Sequence, residues 1–429
     1  MSSSTRSRQI IFATMPVPGH VGPLLPIARA LVERGHRVTW CTGRVFAERI
    51  TATGAGFAPM NAEHDHLGRS IDELFPERAR LRGLAQLRFD MRRIFLDPIP
   101  AQVADLRALS TDRSVDALIY DSSYGGAAVL DLLGGPPAIS VGTSPLMLPD
   151  PDVPPFGPGL APGTSPLHRF RDQALRFVLD RIVFRPVLAH RDQLHRALGL
   201  PAPAARAIGS VSRHLHLQNG VAEFEHPRST LPPQVKFVGA LLDPPPPARL
   251  PAWWPELAAA RRPIVHVTQG TVADTDLDHL VLPTLRALAE EDVLVVAGTG
   301  AHQVPDPPRN ALLAPFLPHD RLLPELSAMI TNGGFGGVQK ALSYGVPLVV
   351  AGGSEDKPEV AARVARTGAG INLRTGKPSE RAIRAAVRTL LANPGYAASA
   401  TGLAAGYRAK DAGVTAATLI ENLLVGARV

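Results

Sequence analysis

Cysteine, tryptophan and tyrosine are scarce in this 429-residue chain: one, three and five, respectively. The lone thiol, Cys41, excludes an internal disulfide and any cysteine-rich metal site, and it fits a reducing cytoplasm. Set in the apolar run VTWC, it reads as core and not as a nucleophile. Long hydrophobic runs are also lacking. No window approaches the ~20 apolar residues that cross a bilayer, so no integral membrane association is expected. The start, MSSSTRSRQIIFATMPVPGH, places basic residues before an apolar run, superficially like a secretory signal. That run is short and no small-x-small cleavage site follows it, so it reads as a first strand. Nor is there a basic cluster interleaved with aromatics. The formal charge is +7, most basic residues are arginine, and they are scattered (Arg29, Arg34, Arg37, Arg44, Arg49). That pattern points away from nucleic acid and towards a solvated surface with a mild preference for anions, including a phosphorylated substrate.

What is present is a globular composition, 45% hydrophobic and 19% charged, over a length that calls for two domains. Short β-branched runs alternate with helical patterns. IIFAT (10–14) leads into LLPIARALVERG, where Leu24, Ile27, Ala28, Leu31 and Val32 recur at helical spacing. RVTWC (37–41), ALIYD (117–121), AISV (138–141), HLHLQ (214–218) and VKFVG (235–239) continue the series. The second half repeats it with IVHVTQG (264–270), VLVVAG (293–298), ALLAPF (311–316), AMIT (328–331), PLVVAG (347–352) and GINL (370–373). The expectation is an α/β protein of two Rossmann-like domains, each a parallel sheet covered on both faces, meeting across a deep cleft.

The proline-rich stretch LLDPPPPARLPAWWPEL (241–257) cannot join either sheet and marks the boundary as a stiff spacer. The divisions are residues 1–241 for the first domain, 242–257 for the linker and 258–412 for the second domain. Residues 413–429 form a helix that returns to brace the first. A second proline-rich stretch, 144–167, reads as a long functional loop inside the first domain.

Open parallel sheets bind ligands at the carboxyl ends of their strands, so those loops carry the chemistry. TNGGFGGVQKAL (331–342) follows the strand AMIT and opens a helix. Missing Cβ atoms and free N–H groups at a helix start suit an anion; a plain tight turn is the bland alternative. PVPGH ends in His20 at the edge of the first sheet, and ALIYD ends in Asp121 at the same edge. An imidazole there suits general-base work, and a carboxylate suits orienting it. His64, Asp65 and His66 lack a third ligand at metal-binding spacing and read as a polar loop. His214 and His216 either line the cleft or form a satisfied core pair.

Nearly end to end, PFLPHDRLLPELSAMITNGGFGGVQKALSYGVPLVVAGGSEDKPEVAARVARTGAGINL (315–373) resembles the donor signature of GT-B glycosyltransferases that use nucleotide sugars. The nearest likeness is the bacterial macrolide and natural-product branch of the UDP-glycosyltransferase superfamily. TMPVPGHVGPLLPIARALVERGHRVTWCTG (14–43) and VTQGT (267–271) resemble its first-domain histidine loop and the loop opening its second domain. Residues near 60–110 and 144–210 match nothing in it.

The resemblance implies roles for particular residues. His20 would be the base and Asp121 its orienting partner. Phe316 would stack on the nucleotide base, in place of the usual tryptophan, and the Leu317 backbone would pair with the base edge. Thr271 would bond a phosphate. Gly333, Gly334, Gly336 and Gly337 would give backbone N–H groups to the diphosphate, while Asp356 and Lys357 would grip sugar hydroxyls. Three positions depart from the family. Asn332 stands where a histidine donates to the diphosphate, Lys340 where a glutamate holds the ribose, and Lys357 where a glutamine is usual. Lys340 or Lys357 could return the positive charge missing at Asn332.

Together these imply an inverting, metal-independent transfer of a hexose from a UDP- or dTDP-sugar to a hydroxyl of a lipophilic small molecule. No cofactor beyond that co-substrate is implied. Phe89, Met91, Phe95, Met147, Leu148 and Phe156 suit an apolar acceptor. Transfer to a sterol or lipid at a membrane surface, and a degenerate nucleotide-sugar-binding partner protein, are the alternatives. A nicotinamide-dependent dehydrogenase is disfavoured because no G-x-G-x-x-G follows the first strand. The sequence sets no oligomeric state.

Overall fold

A computed structural model describes residues 6–111, 114–201, 211–243, 249–270 and 276–426. Thr271 and the four prolines at 244–247 lie outside them. Seven strands form the first sheet: β1 (Gln9–Ala13), β2 (Arg37–Thr42), β3 (Gly56–Pro59), β4 (Ala117–Asp121), β5 (Ala138–Gly142), β6 (His216–Asn219) and β7 (Val235–Gly239). Six form the second: β8 (Ile264–Thr268), β9 (Leu294–Gly298), β10 (Ala311–Ala314), β11 (Ala328–Thr331), β12 (Leu348–Val350) and β13 (Gly370–Asn372). The strand orders are β3-β2-β1-β4-β5-β6-β7 and β10-β9-β8-β11-β12-β13. Every pairing between these strands is parallel.

The strands read as unbroken apolar runs because helices cover both faces. Along β1, Ile10 and Phe12 enter one core cluster and Ile11 and Ala13 the opposite one. Along β11, Ala328 and Ile330 face one way and Met329 the other. Each order reverses at one place, between β1 and β4 in the first sheet and between β8 and β11 in the second. At such a reversal the following helices leave to opposite faces, and a crevice opens at the strand ends.

The helix Ala412–Gly426 crosses back to the first domain. Ala416, Ile420 and Leu424 share a cluster with Leu24 and Leu31 of the first domain. Glu421 pairs with Arg34 at 2.5 Å and His36 at 2.9 Å. Gly413 is required there, since a Cβ would fall 2.7 Å from the Pro26 carbonyl oxygen.

Three differences from the sequence reading stand out. The strand GFAP (56–59) carries too few β-formers to be recognised. Residues 83–110 and 166–197 are largely helical, including Gly83–Asp90, Ile99–Ser110, Pro166–Val178 and Arg185–Ala197. The proline-rich loop after β5 is not confined to the first domain: Gly157 and Gly159 donate to Glu359 of the second.

Candidate active site

His20 lies not in a loop but in the short helix Pro18–Val21, where Pro18 suits the first turn. That turn leaves the end of β1, and Asp121 ends the adjacent strand β4, so the first reversal brings the two together. His20 Nδ1 lies 2.7 Å from Asp121 Oδ1. Asp121 is fully buried and also accepts from the Met15 N–H at 2.7 Å and the Ser123 N–H at 2.8 Å. A carboxylate only accepts, so Nδ1 carries the proton and Nε2 keeps its lone pair. The His20 side chain is 23% exposed, enough for a substrate to reach it. Burial disfavours the imidazolium, yet the attraction and hydrogen bond of Asp121, aided by Asp356 and Glu355, hold its pKa above the ordinary value.

Asp356 and Glu355 belong to the second domain, so the strand ends of the two sheets face each other across this point. Asp356 is itself pushed up to about 6, by burial first and Glu355 next, with Lys357 and His20 opposing. Glu355 adopts a left-handed backbone, φ 56°, and its carboxylate holds the Lys357 ammonium. Lys357 is therefore neutralised locally and supplies no spare positive charge for the one missing at Asn332.

The second reversal carries the glycine turn. Gly333 has φ 87°, and a Cβ there would lie 2.8 Å from Val350 Cγ1. Gly334 caps the helix Phe335–Ser343. At Gly336 and Gly337 an added Cβ meets no atom within 4 Å, so the outer side of this helix start is open. The Asn332 side chain braces the turn from within. Its Nδ2 donates to the Gln269 carbonyl, and its Oδ1 accepts from the Gly334 N–H at 3.3 Å. One amide N–H thus remains for an anion.

Phe316 is 56% exposed beside the buried Leu317. Neither Leu317 backbone group bonds to another described residue. Lys340 sits in the second turn of the helix, part-buried. Burial lowers its pKa, while Asp320 and Asp243 act the other way.

Two supports went unrecognised in the sequence. Gln269, buried at the end of β8, accepts from the Leu280 and Val281 N–H groups at 2.8 and 3.0 Å, which fixes the carbonyl that Asn332 uses. His266, fully buried, faces the Val296 carbonyl through Nδ1 at 2.9 Å and His319 through Nε2 at 3.2 Å. Burial pushes His266 down to about 3 and His319 to about 4, so this pair stays neutral and anchors the chain just after Phe316 and Leu317.

The other histidines take no part in the His20–Asp121 pair, although burial, and in smaller part His20 nearby, disfavours the charged form of His66. Asp65 is buried on the Arg44 N–H and guanidinium. His214 precedes β6 and bonds to Asp131, whereas His216 is buried on Ser140 and Gln218. Among the described residues, no three His, Cys, Asp or Glu side chains converge as a metal site. Met147 and Leu148 line a small cavity with Ser144, His216 and Gln218 at the end of the first sheet.

Two facing parallel-sheet domains, with a histidine–aspartate pair at one reversal and an open glycine turn at the other, define a GT-B glycosyltransferase. Residues 279–422 match the family described as Erythromycin biosynthesis protein CIII-like, C-terminal domain. Over 97% of its length the chain is 44% identical to 4'-demethylrebeccamycin synthase of Lentzea aerocolonigenes, 99% of which is covered. It is 33% identical to UDP-glycosyltransferase 2 of Phaeomoniella chlamydospora, over 99% of this chain and 97% of that one. The crystal structure of the glycotransferase of kitacinnamycin superposes with a TM-score of 0.75 at 23% identity, covering 98% of this chain and all of the other. The chain belongs to the bacterial natural-product branch of the UDP-glycosyltransferase superfamily and is a glycosyltransferase.

Proposed function

We propose that this enzyme moves a hexose from a UDP- or dTDP-linked donor to a hydroxyl of a lipophilic small molecule, with inversion and without a metal, in the cytoplasm. The carrying observation is the 2.7 Å His20–Asp121 contact at one strand reversal, facing the open glycine turn at the other. His20 Nε2 takes the acceptor's hydroxyl proton as that oxygen attacks the anomeric carbon, and Asp121 stabilises the imidazolium that forms. The nucleoside diphosphate leaves from the opposite face. Its growing charge meets the N–H groups of 335–337 and the positive end of the helix dipole, while the Gly333 and Gly334 N–H groups, held by Thr331 Oγ1 and Asn332 Oδ1, shape the turn. Phe316 provides a platform for the base, Leu317 a backbone edge for it, and Asp356 and Lys357 contacts for the sugar. Thr271 keeps its proposed phosphate contact on sequence grounds alone.

The test is thermal stabilisation by UDP, dTDP, GDP and their glucose conjugates, followed by transfer assays. A ligand at ~100 times its Kd adds about 2.7 kcal/mol. His20→Ala is expected to keep the ligand-induced shift and lose transfer by ~10²–10⁴-fold. Undiminished transfer in that variant, or no shift with any nucleotide, rules the reading out. The same variant addresses the degenerate-partner alternative, which the altered Asn332, Lys340 and Lys357 motivate and which needs no base.

A lipid acceptor draws on one observation: Leu167, Phe170, Phe177 and Ile182 are exposed along one helical stretch. Flotation with phosphatidylglycerol vesicles separates that reading from a freely diffusing acceptor.

A further inference from the structure

The loop after β5 is tied to the second domain by a chain of buried charges. Glu359, in the helix Lys357–Arg366, accepts from the Gly157 N–H at 2.8 Å and the Gly159 N–H at 2.9 Å through Oε1. Its Oε2 accepts from Arg363 at 3.0 Å. Arg363 donates in turn to Glu225 Oε1, at 2.7 Å through Nε and 2.5 Å through Nη2. Glu225 closes the circuit, since its Oε2 accepts from the Leu146 N–H at 3.0 Å at the root of the same loop. Arg363, Glu359 and Glu225 are 1%, 4% and 6% exposed, so no solvent screens the set.

Two carboxylates bond directly to one guanidinium, and the charge left over is shared with the nearby guanidiniums of Arg228, which donates to the Leu146 and Leu148 carbonyls, and Arg366, which donates to the Glu225 carbonyl. Backbone N–H groups of Gly157, Gly159, Leu146 and, on Glu225 Oε1, His226 at 2.8 Å offset it. A buried carboxylate stripped of such donors is strongly destabilised, so mooring the loop and burying the charges are one event. The fit is close. A Cβ on Gly159, whose φ is 63°, would lie 2.5 Å from the Pro358 carbonyl oxygen.

The helix that holds the loop is also the helix whose first residues face the cleft, with Asp356 before it and Lys357 at its start. Between its moorings the loop carries Met147, Leu148 and Phe156, and its root lines the cavity at the end of the first sheet. We propose that Glu359 and Arg363 are positioning residues for the acceptor: they hold the 144–163 loop over the first domain's strand ends by mooring it to the sugar-facing helix. This rests on the glycosyl-transfer reading for its kinetic consequence but not for the mooring itself.

The experiment compares the full-length wild type with Glu359→Gln and Gly159→Val. The first weakens the charge chain, and the second wedges the contact apart without touching a charge. Hydrogen–deuterium exchange of the peptide spanning 146–160 is expected to rise at least tenfold in both, with β6 and β8 unchanged. Transfer from UDP-glucose or dTDP-glucose to 2-naphthol as the probe acceptor should show about a tenfold higher acceptor KM, with donor Kd and donor hydrolysis unchanged. Protection of 146–160 that survives both substitutions overturns the mooring. Faster exchange with an unchanged acceptor KM, or with donor Kd and acceptor KM rising together, overturns the positioning role. A wild type that binds neither nucleotide sugar would defeat the proposed function and leave the exchange result to decide the mooring.

Discussion

At the scale of single residues, chemistry turns on protons. His20 must be neutral to act as a base, and its pKa lies above the ordinary value, so kcat/KM is expected to fall as pH drops through a midpoint above ~6.5. Asp121→Asn removes the attraction and leaves burial, which should move that midpoint to lower pH and depress the plateau. The pair also contributes stability below the unfolded pKa of ~6.5, lost as pH rises through the folded one. Asp356 has the same sign by another route. Its carboxyl is raised to about 6, so the native state holds that proton more tightly than the unfolded chain, and stability falls as pH rises from ~4 to about 6. Asp356→Asn should therefore be more stable than wild type at pH 7.5, on the order of 1 kcal/mol for a partly exposed group, and equal to it near pH 4. Denaturant titration at the two pH values checks this, while sugar-donor affinity falls. Individual residues were legible where a strand end and a motif coincided, as for His20 and Asp121. Gln269 and the His266–His319 pair were not, because a buried hydrogen bond across 53 positions leaves no mark on local pattern.

Among elements, the glycine turn offers the sharpest contrast. Gly333→Ala meets both a positive φ and Val350, and should cost ~1–3 kcal/mol in equilibrium unfolding. Gly336→Ala meets nothing and sits in a helix, so it should stabilise the unliganded protein by up to ~1 kcal/mol while weakening nucleotide-diphosphate binding. A stabilised variant with undiminished donor affinity would place the diphosphate elsewhere. Strands were legible because burial on both faces forces continuous apolar runs, and every expected strand is present in the sheets. GFAP was missed because a glycine and a proline occupy half of a four-residue edge strand. The helix Gly83–Asp90 was missed because exposed Leu84 and Leu87 blur its polar–apolar period, whereas Pro166–Val178 keeps that period but turns Leu167, Phe170 and Phe177 to solvent.

For the molecule as a whole, the two domains are joined twice, once by the segment after β7, whose Trp253, Trp254 and Leu257 already pack in the second domain and so end the expected 242–257 linker early, and once where the chain recrosses into Ala412–Gly426. Ile420→Ala leaves a cavity in the first domain's cluster and is expected to cost ~2–4 kcal/mol, although the residue follows the entire second domain in sequence. Chemical denaturation checks it, and a single shifted transition would show that both domains unfold together. The alternation of strands and helices made the two-sheet plan legible, and the hydrophobic run at 416–424 suggested the return. The docking of the 144–163 loop on the other domain was not legible, because neither partner shows the contact in its own segment. The recrossing has a consequence during synthesis. The ribosome must polymerise all of β8–β13 before it releases the segment that closes the first core, so the N-terminal half waits, unsealed, with Leu24 and Leu31 uncovered. Premature termination anywhere between 240 and 411 would leave that half exposed to chaperones and proteases.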